Sequence, residues 1–178
     1  MNWHPQCEAA INRQISEEYH AWYTYTSLAA YFRRSNVGLC RVADLMQERA
    51  SEEHGHAVKL SDYQTMRGGK VQLRPITLDD DMGGVDNIEA QCDILRGFEI
   101  ALKLELHVYK CLMELHKVAD SHGDAQLAGY VESEFLEEQL KDIYWLECEI
   151  AKLQCMVGDG HGRFAYDQSV ELADIKLK

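Results

Sequence analysis

Apolar residues recur at alternating steps of three and four along most of this chain, the spacing of amphipathic helices that each bury one seam. One seam reads Ile11, Ile15, Glu18, Trp22, Tyr25, Ala29, Phe32, and a second reads Leu39, Val42, Met46, Ala50, Glu53, Ala57, Leu60, with His56 beside Glu53. A third reads Leu95, Phe98, Leu102, Glu105, Tyr109, Leu112, His116. The fourth follows Val131, Phe135, Glu138 or Gln139, Asp142, Leu146, Glu149 and Leu153. The only prolines, Pro5 and Pro75, interrupt none of these runs. Breaks fall at Ser35-Asn36-Val37-Gly38, at Gly68-Gly69, at Ser121-His122-Gly123-Asp124 and at Gly158-Asp159-Gly160, with Asp124 suited to cap the next helix. No strand-like alternation bounded by paired turns occurs. The pattern predicts an all-α chain with helices over about 8–34, 39–67, 88–120 and 125–157 and a short fifth over about 163–172. Residues 1–178 read as one domain.

The segment 68–87 has no helical pattern, and a stretch that long calls for a job. A helix of about 28 residues is roughly 42 Å long, and about 20 extended residues can reach roughly 66 Å. The segment can therefore carry the chain back along the bundle, so that the third helix starts parallel to the second. Four-helix bundles with one long crossover are a known topology. The run Asp79-Asp80-Asp81-Met82-Gly83-Gly84 lacks the oxygen ligands a calcium loop needs at its fifth and twelfth positions, Gly83 and Ala90, and reads as a solvated acidic loop.

The first three seams each carry one glutamate in mid-helix: Glu18, Glu53 and Glu105. A buried carboxylate costs several kcal/mol unless it is protonated or paired. No lysine or arginine stands on the same stripe near Glu18 or Glu105. A multivalent cation is then the natural compensating charge. Glu53 and His56, three apart on one helical face, can reach the same ion. Carboxylates with an imidazole and no thiolate suit iron, manganese or zinc. Glu-x-x-His joined to lone glutamates from other helices is the dimetal-carboxylate arrangement of ferritin-like bundles. A second Glu-x-x-His, Glu17 with His20, reads as surface. His4, His107, His122 and His161 also read as exposed, His116 as a hydrogen-bonded core residue, and His54 as pointing off the ligand face.

Composition narrows the function. The chain has 178 residues, and 30 acidic against 18 basic side chains give a net charge of −12. That surface repels phosphate backbones and attracts cations, so no nucleic-acid partner is expected. No apolar run approaches the roughly 20 residues of a membrane span. Residues 1–5, Met-Asn-Trp-His-Pro, lack the basic and apolar regions of a signal peptide. The six cysteines (7, 40, 92, 111, 148 and 155) form no Cys-x-x-Cys pair, and they read as reduced thiols of a cytoplasmic protein.

The segments Glu8-Ala-Ala-Ile-Asn-Arg-Gln-Ile15, Glu52-Glu53-His-Gly-His56, Arg67-Gly-Gly69, Leu112-Met-Glu-Leu-His-Lys117 and Glu138-Gln139 stand in ferritin order. Over about residues 3–158 the chain resembles an animal ferritin of the heavy-chain, ferroxidase-bearing type. The resemblance implies a ferritin-like four-helix bundle with one long crossover loop and a short C-terminal helix. It also implies a cage of 24 subunits, homo-oligomeric or co-assembled with other ferritin chains, that oxidises Fe(II) with dioxygen and stores the ferric mineral. Iron is then both substrate and di-iron centre. Carried over by position, Glu18 and His56 hold the first iron, Glu53 bridges both, and Glu105 holds the second with Gln139 beside it. Tyr25 lies next to the site, and Glu52 is an auxiliary iron carboxylate. Asp142, one turn after Gln139, would complete charge neutrality with two ferrous ions. Glu132 marks the three-fold pore, where Gly129 replaces an aspartate. Glu48 and Glu52 face the cavity as nucleation sites. The crossover loop is longer than usual, and the tail from Arg163 to Val170 lacks the usual leucine-rich face of the fifth helix. Two other readings are compatible with these residues. One is a cage-forming subunit with weak or no ferroxidase activity; the other is a di-iron oxygenase or peroxidase that retains its metal, which would usually show Glu-x-x-His on two helices.

Overall fold

The computed structural model describes residues 3–78, 93–156 and 160–171. Among these residues every regular element is helical. Helix α1 spans Pro5–Phe32 and α2 spans Cys40–Met66. Helix α3 is described over Asp93–Ser121. The fourth helix, α4, covers residues 125–154: an α-helical start at Ala125–Val131, a π-helical stretch at Glu132–Leu136 and a main body at Glu137–Gln154. A short α5 covers Gly160–Ser169. None of these helices is long and apolar enough to cross a membrane.

Local chemistry sets the ends. Pro5 opens α1 at a position that needs no amide donor, and the His4 side chain accepts from the Gln6 amide. Asp124 caps α4 by accepting from the Leu127 amide at 3.0 Å, and its carboxylate also takes the Arg67 guanidinium at 2.7 Å.

Cross-helix contacts give the topology. Glu8 meets Gln64 and Arg33 meets Asp44, so α1 and α2 are antiparallel. Arg49 meets Asp142 and Arg67 meets Asp124, so α2 and α4 are antiparallel. Glu17 meets His107 and Tyr31 meets Asp93, so α1 and α3 are antiparallel as well. Helices α2 and α3 therefore run parallel, and only a long crossover can join them. Its first part lies extended along α1. The Lys70 amide donates to Glu8 at 2.7 Å, the Gln72 amide donates to Asn12 Oδ1 at 2.8 Å, and Asn12 Nδ2 donates to the Lys70 carbonyl at 2.9 Å. The acidic run 79–81, the rest of the crossover and the expected helical start at 88–92 lie outside the described residues.

The core is one continuous cluster between the helices, with Tyr25, Phe32, Phe98, Leu104 and Leu127 among its fully buried members. Helices α1 and α3 approach closely at Gly97, where a Cβ would come within 2.7 Å of the Phe32 ring. Two seams differ in part from the sequence pattern. In α3 the buried line runs through Ile94, Phe98, Ala101, Glu105, Val108, Leu112 and Leu115, and Leu95, Leu102, Tyr109 and His116 flank it half-exposed. In α4 the buried line is Val131, Phe135, Gln139, Ile143, Leu146, Ile150 and Leu153, with Asp142 and Glu149 beside it. The π-helical stretch explains this second shift. Its i→i+5 turns rotate less per residue than α-helical ones, so successive steps of four stay on one face.

Helix α5 docks without a leucine-rich face. Tyr166 is buried, its ring edge-on to Phe98 at 5.8 Å, and its hydroxyl donates to Glu149 at 2.8 Å. Asp167 Oδ1 accepts the backbone amides of Arg41 and Val42, each at 3.0 Å, and so caps α2 from outside. Arg163 donates to both oxygens of Asp93 in the first turn of α3.

Candidate metal centre

The centre lies between the four long helices and is built from the mid-helix positions at which seam glutamates occur. From α1 comes Glu18, from α2 Glu53 and His56, from α3 Glu105, and from α4 Gln139, and all five are buried. The structure thus brings together the five residues that the resemblance implies as ligands.

Glu18, Glu53 and His56 form the tighter half. One donor atom from each lies within 4.8 Å of the others. Glu18 Oε1 accepts from Gln14 Nε2 at 2.8 Å. Glu18 Oε2 and Glu53 Oε2 have no hydrogen-bond partner. Both face His56 Nδ1, at 3.9 Å and 3.5 Å respectively. Two unpartnered buried oxygens converging on one imidazole nitrogen form a donor set suited to a multivalent cation. On the far side of the ring His56 Nε2 lies 3.6 Å from Glu138 Oε2, and Phe135 packs edge-on at 5.6 Å.

Glu105 anchors the other half, and here the donors are already partnered. Tyr25 Oη donates to Glu105 Oε1, and Gln139 Nε2 donates both to Glu105 Oε2 and, at 3.0 Å, to the Glu105 carbonyl. Tyr25 therefore touches a candidate ligand directly.

Burial dominates the electrostatics. It raises the Glu18 carboxyl well above its ordinary range, and the neighbouring Glu53 charge adds to this. Glu53 is raised by burial and by the Glu105 charge. Glu105 is raised by burial to about 7, although the Tyr25 hydrogen bond holds it down. For His56 burial would favour the neutral ring, but contacts with Glu138 and Glu53 outweigh that and push it up to about 11.

Sequence reasoning missed Arg49. It is buried, lies on α2 one turn before Glu53, and stacks its guanidinium on the Trp145 ring at 4.7 Å. Its Nη1 lies 2.5 Å from Asp142 and 3.2 Å from Glu52. So an arginine does stand near the buried carboxylates, and Asp142 and Glu52 are engaged by it. A cation placed between Met46 and Ala50 on the buried stripe was the signal available in the sequence. Glu48 is half-buried elsewhere on α2. Glu132 is exposed in the π-helical stretch and pairs with His116 at 2.7 Å, which places His116 at the bundle's edge and not in the core. His54 is exposed and lies beside the Trp22 ring at 5.5 Å.

A four-helix bundle with carboxylates and an imidazole converging in its interior defines a ferritin-like class of helical protein. Comparison places it more closely: residues 8–156 match the ferritin-like domain model, and the chain belongs to the ferritin family. It is 46% identical over 165 residues to the chloroplastic ferritin of Phaseolus vulgaris, covering 93% of this chain and 63% of that one. It is 44% identical over 163 residues to ferritin-2, chloroplastic, of Vigna unguiculata, covering 92% and 64%. It is 41% identical over 163 residues to ferritin-4, chloroplastic, of Arabidopsis thaliana, covering 92% and 61%. The chain spans less than two thirds of the length of these relatives. They correct two expectations. The relatives are plant ferritins, so the assignment to the animal heavy-chain branch does not hold. The motifs behind it lie on the bundle helices and at the buried donor set, and they carry the family rather than the branch. The relatives are also named chloroplastic, which overturns the cytoplasmic expectation.

Proposed function

We propose that this chain is an iron-storage subunit that oxidises Fe(II) at its own intra-subunit centre. The observation that carries the reading is the convergence of Glu18 Oε2, Glu53 Oε2 and His56 Nδ1 in the buried interior, with neither carboxylate oxygen hydrogen-bonded. In this reading Glu18 and His56 bind the first ferrous ion, Glu53 bridges, and Glu105 with Gln139 receives the second. Each ion gives one electron to dioxygen. Glu105 and the neutral Gln139 offer fewer and weaker donors than the first half, which suits iron that passes through as substrate. The ferric product then collects in a cage of 24 copies, as a homo-oligomer or with other ferritin chains. Exposed apolar side chains such as Met66, Leu73 and Phe164 are the kind of surface that assembly covers. The names of the relatives point to a plastid as the compartment.

The test replaces Glu53 and His56 together with alanine and follows ferrous oxidation by stopped flow, with assembly size measured on the same sample. The expected result is loss of the fast phase in an intact assembly, because the pair supplies metal binding and its burial does not help the fold. An unchanged early rate would remove the site assignment.

A further inference from the structure

A second convergence of metal-binding groups lies outside the centre just described, between α1 and α3. His107 and Cys111 are four apart on α3 and share a face. Glu17 reaches them from α1. Glu17 Oε2 lies 2.9 Å from His107 Nε2, and Cys111 Sγ lies 3.6 Å from that same nitrogen. One donor atom from each of the three residues lies within 4.8 Å of the others. We propose that Glu17, His107 and Cys111 form a distinct surface site for a thiophilic divalent cation with zinc-like ligand preferences.

Three observations carry this. The first is geometric. In a tetrahedral zinc site, Zn–S of about 2.3 Å and Zn–N of about 2.0–2.1 Å put sulfur and nitrogen about 3.6 Å apart. The Cys111–His107 separation already has that value. The Glu17–His107 distance needs to open by only a few tenths of an ångström. A surface ion pair between Glu17 and His107 would not by itself require a thiol directed at the same ring nitrogen.

The second is chemical. The buried centre offers only carboxylate, amide and imidazole donors. This cluster adds a thiolate, which moves its preference towards zinc-like ions. Three protein ligands on a half-exposed surface leave the fourth position to water. The third is electrostatic. Burial pushes the Cys111 thiol up, to about 11, and the negative charges of Glu17 and Glu114 add to this. That field opposes an unbound thiolate and favours a cation beside it. Binding releases the thiol proton to solvent.

The site is separate from the proposed iron centre, and cobalt(II) tests it independently, because cobalt bound to a thiolate gives a near-ultraviolet charge-transfer band that carboxylate and imidazole sites lack. The assembled full chain, chelator-treated and reduced, is titrated with cobalt(II). A saturable band is expected with one ion per chain. Cys111→Ser and Cys111→Ala should abolish it. His107→Ala and Glu17→Gln should each weaken binding at least tenfold. Cys148→Ser should leave it unchanged, as should the double variant Glu53→Ala/His56→Ala, which separates this site from the iron centre. The proposal is overturned if wild type shows no band, if the band survives loss of Cys111, if it disappears with Cys148 or with Glu53 and His56, or if affinity ignores His107.

Discussion

Arg49 on α2 and Asp142 on α4 form a close ion pair, 2.5 Å from Nη1 to Oδ1, against the face of Trp145. The arginine is buried, and Asp142 is the nearest of its two carboxylate partners. Asp142 is therefore expected to compensate Arg49 rather than to ligate iron. Asp142→Ala should destabilise the subunit by about 3 kcal/mol, because it strips a buried guanidinium of its main counter-charge. Replacing both residues with leucine should recover most of that loss. Thermal unfolding of the three variants checks the stability ledger, and zinc titration checks the ligand question. A large fall in zinc affinity in the double-leucine variant would make Asp142 a ligand after all.

Metal binding at the buried centre should release protons. Near neutral pH Glu18, Glu53 and Glu105 are all raised by burial, and His56 is raised to about 11 by its carboxylate contacts. A divalent ion needs them deprotonated, so affinity should rise with pH, about tenfold per pH unit for each proton released. Calorimetric zinc titrations in buffers of different ionisation heat read that number directly. No buffer dependence would mean that the ion binds elsewhere. The metal-free protein should show the opposite trend. Glu105 rises from an ordinary 4.5 to about 7 on folding. Its contribution is fully present below pH 4.5 and is lost as pH rises through 7, about 3 kcal/mol in all. Chelator-treated protein should therefore melt at lower temperature at pH 8 than at pH 5, and bound zinc should reduce the difference.

Much of the bundle is legible in the sequence because helical seams follow from burial alone. Every α2 seam position from Leu39 to Leu60 is buried, and in α1 only Trp22 is half-exposed. The convergence of Glu18, Glu53 and His56 was readable for the same reason, since a carboxylate on an apolar stripe demands a partner. What stayed hidden depends on contacts between helices. Nothing local shows that Trp145 and Asp142 meet Arg49. Nor does a three-and-four pattern reveal the π-helical turns that move the α4 seam onto Ile143 and Ile150. The tail reads poorly because Tyr166, Asp167 and Arg163 dock α5 through polar contacts rather than leucines.

Tyr25 and Gln139 hold the two oxygens of Glu105 in place. Tyr25→Phe removes a hydrogen bond that favours the ionised carboxylate, so the Glu105 carboxyl should rise further. Oxidation should slow severalfold, while zinc binding at Glu18, Glu53 and His56 stays within twofold of wild type. Gln139→Leu should act in the same direction. If Tyr25→Phe oxidises iron at the wild-type rate at every pH, the hydroxyl does not position Glu105 for the reaction.

Asp167 caps α2 across a sequence separation of 125 residues, at the Val42 amide. Loss of a helix cap costs about 1 kcal/mol. Asp167→Ala should lower the unfolding midpoint accordingly and speed amide exchange at Arg41 and Val42 first. Asp167→Asn keeps an acceptor and should lose less. Equal exchange in all three proteins would show that α5 contributes nothing to that helix end.

Iron supply is the last step open to test. If Glu132 lines a three-fold pore, as the resemblance implies, then Gly129 stands one turn earlier where an aspartate is expected. A ring of carboxylates concentrates cations and raises their arrival rate, an effect that salt weakens. In this chain Glu132 Oε1 already lies 2.7 Å from His116 Nε2, so it is less free to turn towards a passing ion. Uptake should therefore be slower and less salt-sensitive than the buried centre can support. Gly129 is exposed, and a Cβ there meets nothing within 4 Å, so Gly129→Asp should fold normally. It adds a second acidic ring without displacing a neighbour, and it removes the helix-weakening glycine. Stopped-flow oxidation across a salt series should show Gly129→Asp faster than wild type at low ionic strength, with the gain fading as salt rises. Glu132→Ala should be slower. Equal rates for all three proteins would mean that iron reaches the centre by another route or that its arrival never limits the reaction.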